Sequence, residues 1–461
     1  MCGAKLDAPG DAVIVKTMTS SRAASPLRRA RSTAALRNLV GTSALVASAA
    51  LGCGGGQTGD EQTGDASHVL QELRGTATRV AADNQLPNSA SDDGWAFGWK
   101  FYHEEAQPTE NAFFSPYSIS VASAMLVAGA AGQTKSEIDG ALSFSNDSGT
   151  AFHQARNAIA QAFERRNRAG NENANAQALH VSNDLWLARG FSPVPAFLDT
   201  LSAYYGAGTF LAPFETDPEA ARGAINQKVA RDTEQLIKEL LPKDSIDSDV
   251  QFVLTNALYF KAHWQTEFTK GGTKDEPFAA DGGAQNVQMM HGFIDGRYFA
   301  GPDYQAIALP YSGRDLELVA IMPPVGTFAT FVANLSAETV SAATSRLQAS
   351  DLVLSFPKFG IESTVPLAAR LQALGMQQAF SFGADFSLLG SPPVYISDAF
   401  HQATLALDEE GTEAAAATAF VGRATSAGPP PVTVVFDHPF VFFIRDVQTN
   451  ALLFVGHFAK P

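Results

Sequence analysis

An α+β fold follows from the order of patterns along the chain, with helical spacing early and strand-like apolar runs late. Three observations carry it. Ser115-Pro116 opens a helix with proline just inside its start, and apolar residues follow at Ile119, Val121, Ala124, Met125 and Leu126. Phe252 to Phe260 is apolar at both parities, the pattern of a strand covered on both faces. Val441 to Arg445 and Leu452 to Phe458 form a hairpin pattern that turns at Gln448-Thr449-Asn450. The remaining elements fall between these. A first helix is expected from Trp95 to Glu105. A later one is expected from Ala224 to Leu241, on the helical spacing of Ile225, Val229, Leu236, Ile237 and Leu240. Leu316 to Met322 and Leu352 to Phe356 are further buried strands.

Composition is that of a globular protein, 45% hydrophobic and 17% charged over 461 residues. No linker, charge block or repeat divides the chain between Asp92 and Gly428-Pro429-Pro430-Pro431, so residues 92–461 read as one domain. The net charge of −15 is unevenly spread. Residues 1–53 carry seven basic side chains (Lys5, Lys16, Arg22, Arg28, Arg29, Arg31, Arg37) against Asp7 and Asp11, which leaves −20 on the rest. So acidic a body argues against binding a phosphate backbone, and no nucleic-acid partner is expected. The only cysteines, Cys2 and Cys53, precede the domain, which therefore holds no disulfide, thiol nucleophile or cysteine metal site. No HExxH, GxSxG, Walker or dinucleotide-glycine motif occurs, so no metal or cofactor is expected.

The N-terminus reads as an export signal. Arg28-Arg29-Ala30-Arg31 and Arg37 precede an apolar stretch from Leu39 to Leu51, too short to span a bilayer comfortably. Cys53, followed by Gly54-Gly55-Gly56, resembles the lipidated cysteine of bacterial lipoproteins, although Leu51 and Ala50 reverse the usual order before it. Met18 is an alternative start. Residues 1–53 are thus assigned to a signal peptide and 54–91 to a flexible linker, because 54–66 contains no large apolar residue. The expected location is extracellular, or anchored by lipid to a bacterial envelope, with no other membrane contact.

Asp408-Glu409-Glu410-Gly411 runs directly into Thr412-Glu413-Ala414-Ala415-Ala416-Ala417-Thr418-Ala419. Alanine content alone favours an exposed helix or linker. At a period of two, however, Thr412, Ala414, Ala416 and Thr418 make one small, neutral face, while Glu413 lies on the other with Ala415, Ala417 and Ala419. That suits a strand slotted between two existing strands.

What surrounds this stretch decides between the readings. Phe436-Asp437-His438-Pro439-Phe440 and Leu452-Leu453-Phe454-Val455-Gly456 follow it. Asn111-Ala112-Phe113-Phe114-Ser115-Pro116, Thr255-Asn256-Ala257-Leu258-Tyr259-Phe260-Lys261, Val287-Gln288-Met289-Met290, Leu309-Pro310-Tyr311 and Phe356-Pro357-Lys358-Phe359 precede it. In this order the motifs resemble those of the serpins, the serine-protease-inhibitor superfamily, over roughly residues 92–461. The resemblance implies three β-sheets, about nine helices, an exposed reactive-centre loop and a monomer. It also implies that the protein is not an enzyme but a suicide substrate. A serine (or cysteine) endopeptidase cleaves the loop, is acylated, and is trapped as the loop inserts into the central sheet.

On this resemblance Glu409, Glu410, Gly411, Thr412, Glu413, Ala414, Ala415, Ala416 and Ala417 form the loop's hinge. Ser115, Ser118, Asn256 and His401 form a polar shutter, and Trp264 lies under the loop's point of insertion, where Ala262 replaces a frequent glycine. In the family the cleaved residue is the seventeenth when the hinge glutamate is counted as the first; starting at Glu409 this gives Thr425 and makes Thr425–Ser426 the reactive bond. Arg423 is the alternative reactive residue and would attract a trypsin-like enzyme. Counting back from Pro439 lands near Gly428, so the loop is expected to be longer around Pro429-Pro430-Pro431. Thr425 is small and uncharged, which favours an elastase- or subtilisin-like target. The competing reading within the family is a non-inhibitory binding or chaperone-like member, which often has bulky, charged or proline residues in the hinge; the inward face here, Thr412, Ala414 and Ala416, has none. A Ser-His nucleophile is a third reading, set aside because no acidic orienter or oxyanion motif accompanies Ser115 or Ser118.

Overall fold

The strand that is apolar at both parities has to be covered on both faces, and the fold is arranged around it. The computed structural model describes residues 69–82, 89–145, 149–170, 178–280, 282–412 and 430–461. Phe252–His263 (β6) lies near the middle of a seven-stranded sheet and is buried at all positions but Lys261. In order, this sheet runs Gln71–Leu73 (β1), Thr209–Ala212 (β5), Ala178–Ala188 (β3), β6, Gly411–Thr412 (β15), Asp398–Leu407 (β14) and Phe359–Val365 (β12).

A second sheet holds Val432–Val435 (β16), Gln348–Pro357 (β11), Gly283–Ala300 (β8), Gln305–Pro310 (β9), Leu316–Met322 (β10), Phe440–Asp446 (β17), Leu452–Phe458 (β18) and Ala112–Phe114 (β2). Lys274–Ala280 (β7) pairs with β8 beside this path. Ser192–Pro193 (β4) and Gly390–Ser391 (β13) make a third, two-stranded sheet. The α-helices are Ser89–Glu105 (α1), Pro116–Val127 (α2), Gly132–Ala141 (α3), Thr150–Gly170 (α4), Pro195–Thr200 (α5), Pro218–Asp232 (α6), Phe328–Ala333 (α7), Ala337–Arg346 (α8) and Leu367–Ala373 (α9). Three sheets and nine α-helices among the described residues make the α+β architecture expected from the sequence.

One apolar core joins α1 and α2 to both large sheets. Helix α2 is buried at every position except Val121, as a helix apolar on most sides must be. Ser115 caps it, its side chain accepting the Ser118 N–H, with Pro116 in the first turn.

Three differences from expectation bear on the fold, besides smaller shifts such as the α6 start at Pro218 rather than Ala224. Helix α1 begins at Ser89 rather than Trp95. Helix α6 stops at Asp232, because Glu234 and Gln235 adopt φ of 50° and 68°, which no right-handed helix accommodates. The apolar residues beyond it, Ile237, Leu240 and Leu241, are nonetheless buried. The third difference is larger. Residues 69–82 lie within the stretch expected to be linker, yet they are stitched to the fold. Strand β1 adds to the β5 edge, Gln71 opposite Leu211 and Leu73 opposite Thr209. Beyond it, Asp199 accepts the N–H groups of Thr76 and Ala77, while Asn157 and Gln161 of α4 donate to the Val80 carbonyl. The segment lacks a periodic apolar pattern because partners on the fold satisfy its backbone. Residues 1–68, including Cys53, lie outside the described residues.

Asp199→Ala should release this strap. We expect faster proteolysis within residues 74–82 and a loss of about 1–2 kcal/mol, the worth of hydrogen bonds to a partly exposed carboxylate, read from denaturant midpoints.

Candidate functional site

Strands β6 and β14 run parallel, but they pair only from Val253↔Asp398 to Leu258↔Ala403. Beyond those six pairs they part, and β15 fills the gap, Gly411 opposite His263 and Thr412 opposite Ala262 on one side, Thr412 opposite Leu407 on the other. The chain reaches this position through a tight turn. The Asp408 carboxylate accepts the N–H groups of Glu410 and Gly411, and the Asp408 N–H returns to the Gly411 carbonyl at 2.9 Å. Trp264 clasps the turn from β6, its backbone N–H donating to the Glu410 carbonyl and its indole N–H to the Asp408 carbonyl, 3.0 Å away.

Gly411 is required here. A Cβ at this position would sit 2.1 Å from the Ala262 carbonyl oxygen, and the backbone φ is +155°. The expected hinge residues Glu409, Glu410, Gly411 and Thr412 are thus brought together with Trp264. Glu413, Ala414, Ala415, Ala416, Ala417, Arg423, Thr425 and Ser426 lie outside the described residues.

Two carboxylates flank the turn. Glu409 takes a hydrogen bond from Thr273 and pairs with Lys358 at 2.8 Å; Glu410 pairs with Lys270 at 2.7 Å. Burial opposes ionisation of Glu409, but the hydrogen bonds from Lys358 and Thr273 outweigh it and hold the carboxyl below its usual range. Thr412 is fully buried, and its hydroxyl meets the buried Tyr311 phenol at 2.8 Å. Sequence reasoning missed Tyr311, Thr273, Lys270 and Lys358 as site residues, although Tyr311 and Lys358 fell within motifs that it quoted.

Lower down the same seam lies the polar cluster. Asn183, Asn256 and His401 form one row across β3, β6 and β14, by register. The Ser115 N–H donates to His401 Nε2 at 3.0 Å, so Nδ1 carries the proton and donates to Asn256 Oδ1. Asn256 Nδ2 donates to Ser118 Oγ and Asn183 Oδ1, and Ser118 Oγ donates to Asn183 Oδ1 as well. Ser115 Oγ donates to the Leu453 carbonyl at 2.6 Å. The four expected residues therefore converge, and Asn183 joins them.

This cluster is not a nucleophilic site. His401 has an amide and a backbone N–H as partners rather than a carboxylate, and Ser115 spends its proton on a carbonyl. Burial pushes the His401 imidazole down to about 3, so it stays neutral in the fold. His153 and His457, also buried, are pushed down to about 4.

The direction with pH follows from these shifts. Unfolded histidines bind protons near pH 6.5, whereas these three remain neutral when folded. Their stabilising share is complete above pH 6.5 and is lost as pH falls toward 3–4. His401→Gln should cost about 1–2 kcal/mol at pH 7 through impaired hydrogen bonding. It should also flatten the decline between pH 6.5 and 4, as measured by denaturant midpoints across that range. An unchanged slope would sever His401 from the acid response.

The family model described as serpin (serine protease inhibitor) matches residues 94–461. The human Serpin B3 is 31% identical over 389 residues, covering 81% of this chain and all of that protein. Leukocyte elastase inhibitor A of Rattus norvegicus is 33% identical, covering 79% of this chain and 97% of its own. The crystal structure of the thermophilic serpin Tengpin in the native state superposes with a TM-score of 0.71 at 25% identity, over 84% of this chain and 98% of that one.

Proposed function

Because the chain belongs to the serpin family, we propose that it inhibits a serine endopeptidase by being cleaved, acylating the enzyme and inserting its loop between β6 and β14. One observation carries this reading. The first two residues of the candidate insert, Gly411 and Thr412, already occupy the mouth of the gap as a strand.

Continuing their register places Ala414 opposite Phe260, Ala416 opposite Leu258 and Thr418 opposite Asn256. Phe260 and Leu258 are core residues, so the face that turns inward is the small, uncharged one. The residues on that face meet little steric or desolvation resistance. Glu413 falls on the outer parity, where water solvates it. From Ala416 onward the insert has to replace the β6–β14 pairs, and at Asn256 it displaces His401. Each step exchanges one set of satisfied polar groups for another while adding a strand to the sheet. The favoured partner is an elastase- or subtilisin-like serine endopeptidase, with Thr425–Ser426 as the reactive bond. Export through residues 1–53, with lipidation at Cys53 in a bacterial envelope, completes the reading.

Incubation with elastase-, subtilisin-, chymotrypsin- and trypsin-like enzymes should yield a complex that survives denaturant. Ala414→Arg should abolish it while the loop is still cut, because the insert would bury an unpaired guanidinium. Complex formation by Ala414→Arg at the parental level would refute insertion. Cleavage without any complex, and with no rise in melting temperature, would instead identify a non-inhibitory binding member.

Mass spectrometry of the released C-terminal fragment locates the bond. A fragment beginning at Ser426 supports Thr425; one beginning at Ala424 from a stable complex moves the role to Arg423 and makes the target trypsin-like. The mass of the mature N-terminus, read from the exported protein, shows whether Cys53 carries lipid.

A further inference from the structure

Tyr311 is held on several sides at the mouth of the gap. Its ring stacks on Trp264 with centroids 4.6 Å apart and planes 11° from parallel, and it meets Phe260 edge-on at 5.2 Å. A β-bridge joins its backbone to Trp264, and its N–H donates to the Leu316 carbonyl at 2.9 Å. The phenol oxygen is therefore fixed in a fully buried position, and the bond that it makes there is to the Thr412 hydroxyl. A buried phenol left without a partner is costly, so the site discriminates between residues that carry a hydroxyl and those that do not.

The residues that could compete for this position are known from the sequence. A shift of one residue would bring Glu413 inward and bury a carboxylate beside the phenol. A shift of two would bring Ala414, which offers no partner. Gly411 supplies an independent constraint, since a shifted chain would put a Cβ against the Ala262 carbonyl, 2.1 Å away. Thr412 is thus the residue that satisfies both restraints at once.

We infer that Tyr311 is a positioning residue: its hydrogen bond to Thr412 seats the first pair of the insert and sets the strand register in which the rest of the loop enters. Because Thr412 already holds its place in the sheet, the bond persists as further residues follow. It acts as a seat rather than a lock. Without it, residues 411–412 leave the gap more often, and a cleaved loop starts from outside the sheet. The protease then has longer to deacylate and escape. This inference rests on the inhibitory reading for its consequence, but the seat itself can be measured without any protease.

The test compares Tyr311→Phe, Thr412→Val, Thr412→Ser and the double variant Tyr311→Phe/Thr412→Val. Hydrogen exchange over residues 408–412 should be slow in the parent and in Thr412→Ser, which retains a hydroxyl. It should be about fivefold faster in either single variant that breaks the bond, the population shift that loss of one hydrogen bond produces. The ratio of cleaved inhibitor to covalent complex, with an elastase- or subtilisin-like enzyme that the parent traps, should rise by a similar factor of about five. The double variant should be no worse than either single one, because both remove the same interaction.

Equal exchange in all four variants, or single effects that add in the double, would overturn the inference. So would a Thr412→Ser protein that behaves like Thr412→Val. If Tyr311→Phe does not fold, the two Thr412 variants decide the matter. If the parent traps no enzyme while the exchange pattern holds, the inhibitory reading fails and the seat stands.

Discussion

The incomplete pairing of β6 with β14 is the constraint on which the rest of the molecule depends. Six pairs close the lower part of the seam, and above them the strands diverge around Gly411 and Thr412. The lower part is fastened by side chains as well as by backbone, through the row Asn183, Asn256 and His401 and the helix residues Ser115 and Ser118. A purely apolar seam would hold by area, and opening it would expose that area at once. A polar seam behaves differently. Its bonds contribute modestly while made and cost far more when left without partners, so it resists partial opening but permits an exchange of partners. On the inhibitory reading proposed above, such a seam would suit a sheet that accepts a new strand without passing through a hydrated gap.

Charge surrounds the turn that Trp264 and the close approach of Gly411 to Ala262 hold in place. Asp408, Glu409, Glu410 and Glu413 crowd four carboxyl groups into six residues of an already acidic body. Lys358 and Lys270 meet two of them, and backbone N–H groups meet Asp408. Pairs this close to solvent contribute little stability each. Their role is directional. They anchor Glu409 and Glu410 outside the gap, while the missing Cβ of Gly411 lets that residue turn in.

Much of this was legible in the sequence because it depends on local chemistry. Ser115-Pro116 announced a capped helix, Phe252 to Phe260 a strand covered on both faces, and the alternation after Gly411 a strand with one narrow face. His401, Asn256, Ser115 and Ser118 were legible through motifs. What was not legible depends on register between distant strands. Asn183 joins the polar cluster only because β3 pairs antiparallel with β6 so that Asn183 lies opposite Asn256. Thr273 and Lys270 reach the hinge from the turn after β6, and no spacing within the chain reveals that. The N-terminal strap escaped for the opposite reason. Residues 69–82 bury few side chains and are held by hydrogen bonds to Asp199, Asn157 and Gln161, which leave no hydrophobic period to read.

On the inhibitory reading proposed above, the same register bears on which loop residue would carry the enzyme. Gly411 lies opposite His263, so an insert continued in antiparallel pairing reaches Phe252, the first residue of β6, at Gly422. That is eleven steps along the strand, or about 36 Å at the usual rise. Arg423 would then sit at the level of Gln251, still beside Ser397 and the start of β14. Thr425 would lie two residues further, about 7 Å beyond the sheet. An acyl-enzyme on Arg423 would be drawn to the end of the sheet as its strand ran out. One on Thr425 would leave the full length of β6 available to the insert, with two residues spare to span the turn around the pole. On the inhibitory reading, the length of β6 would suit Thr425 as the residue that carries the enzyme.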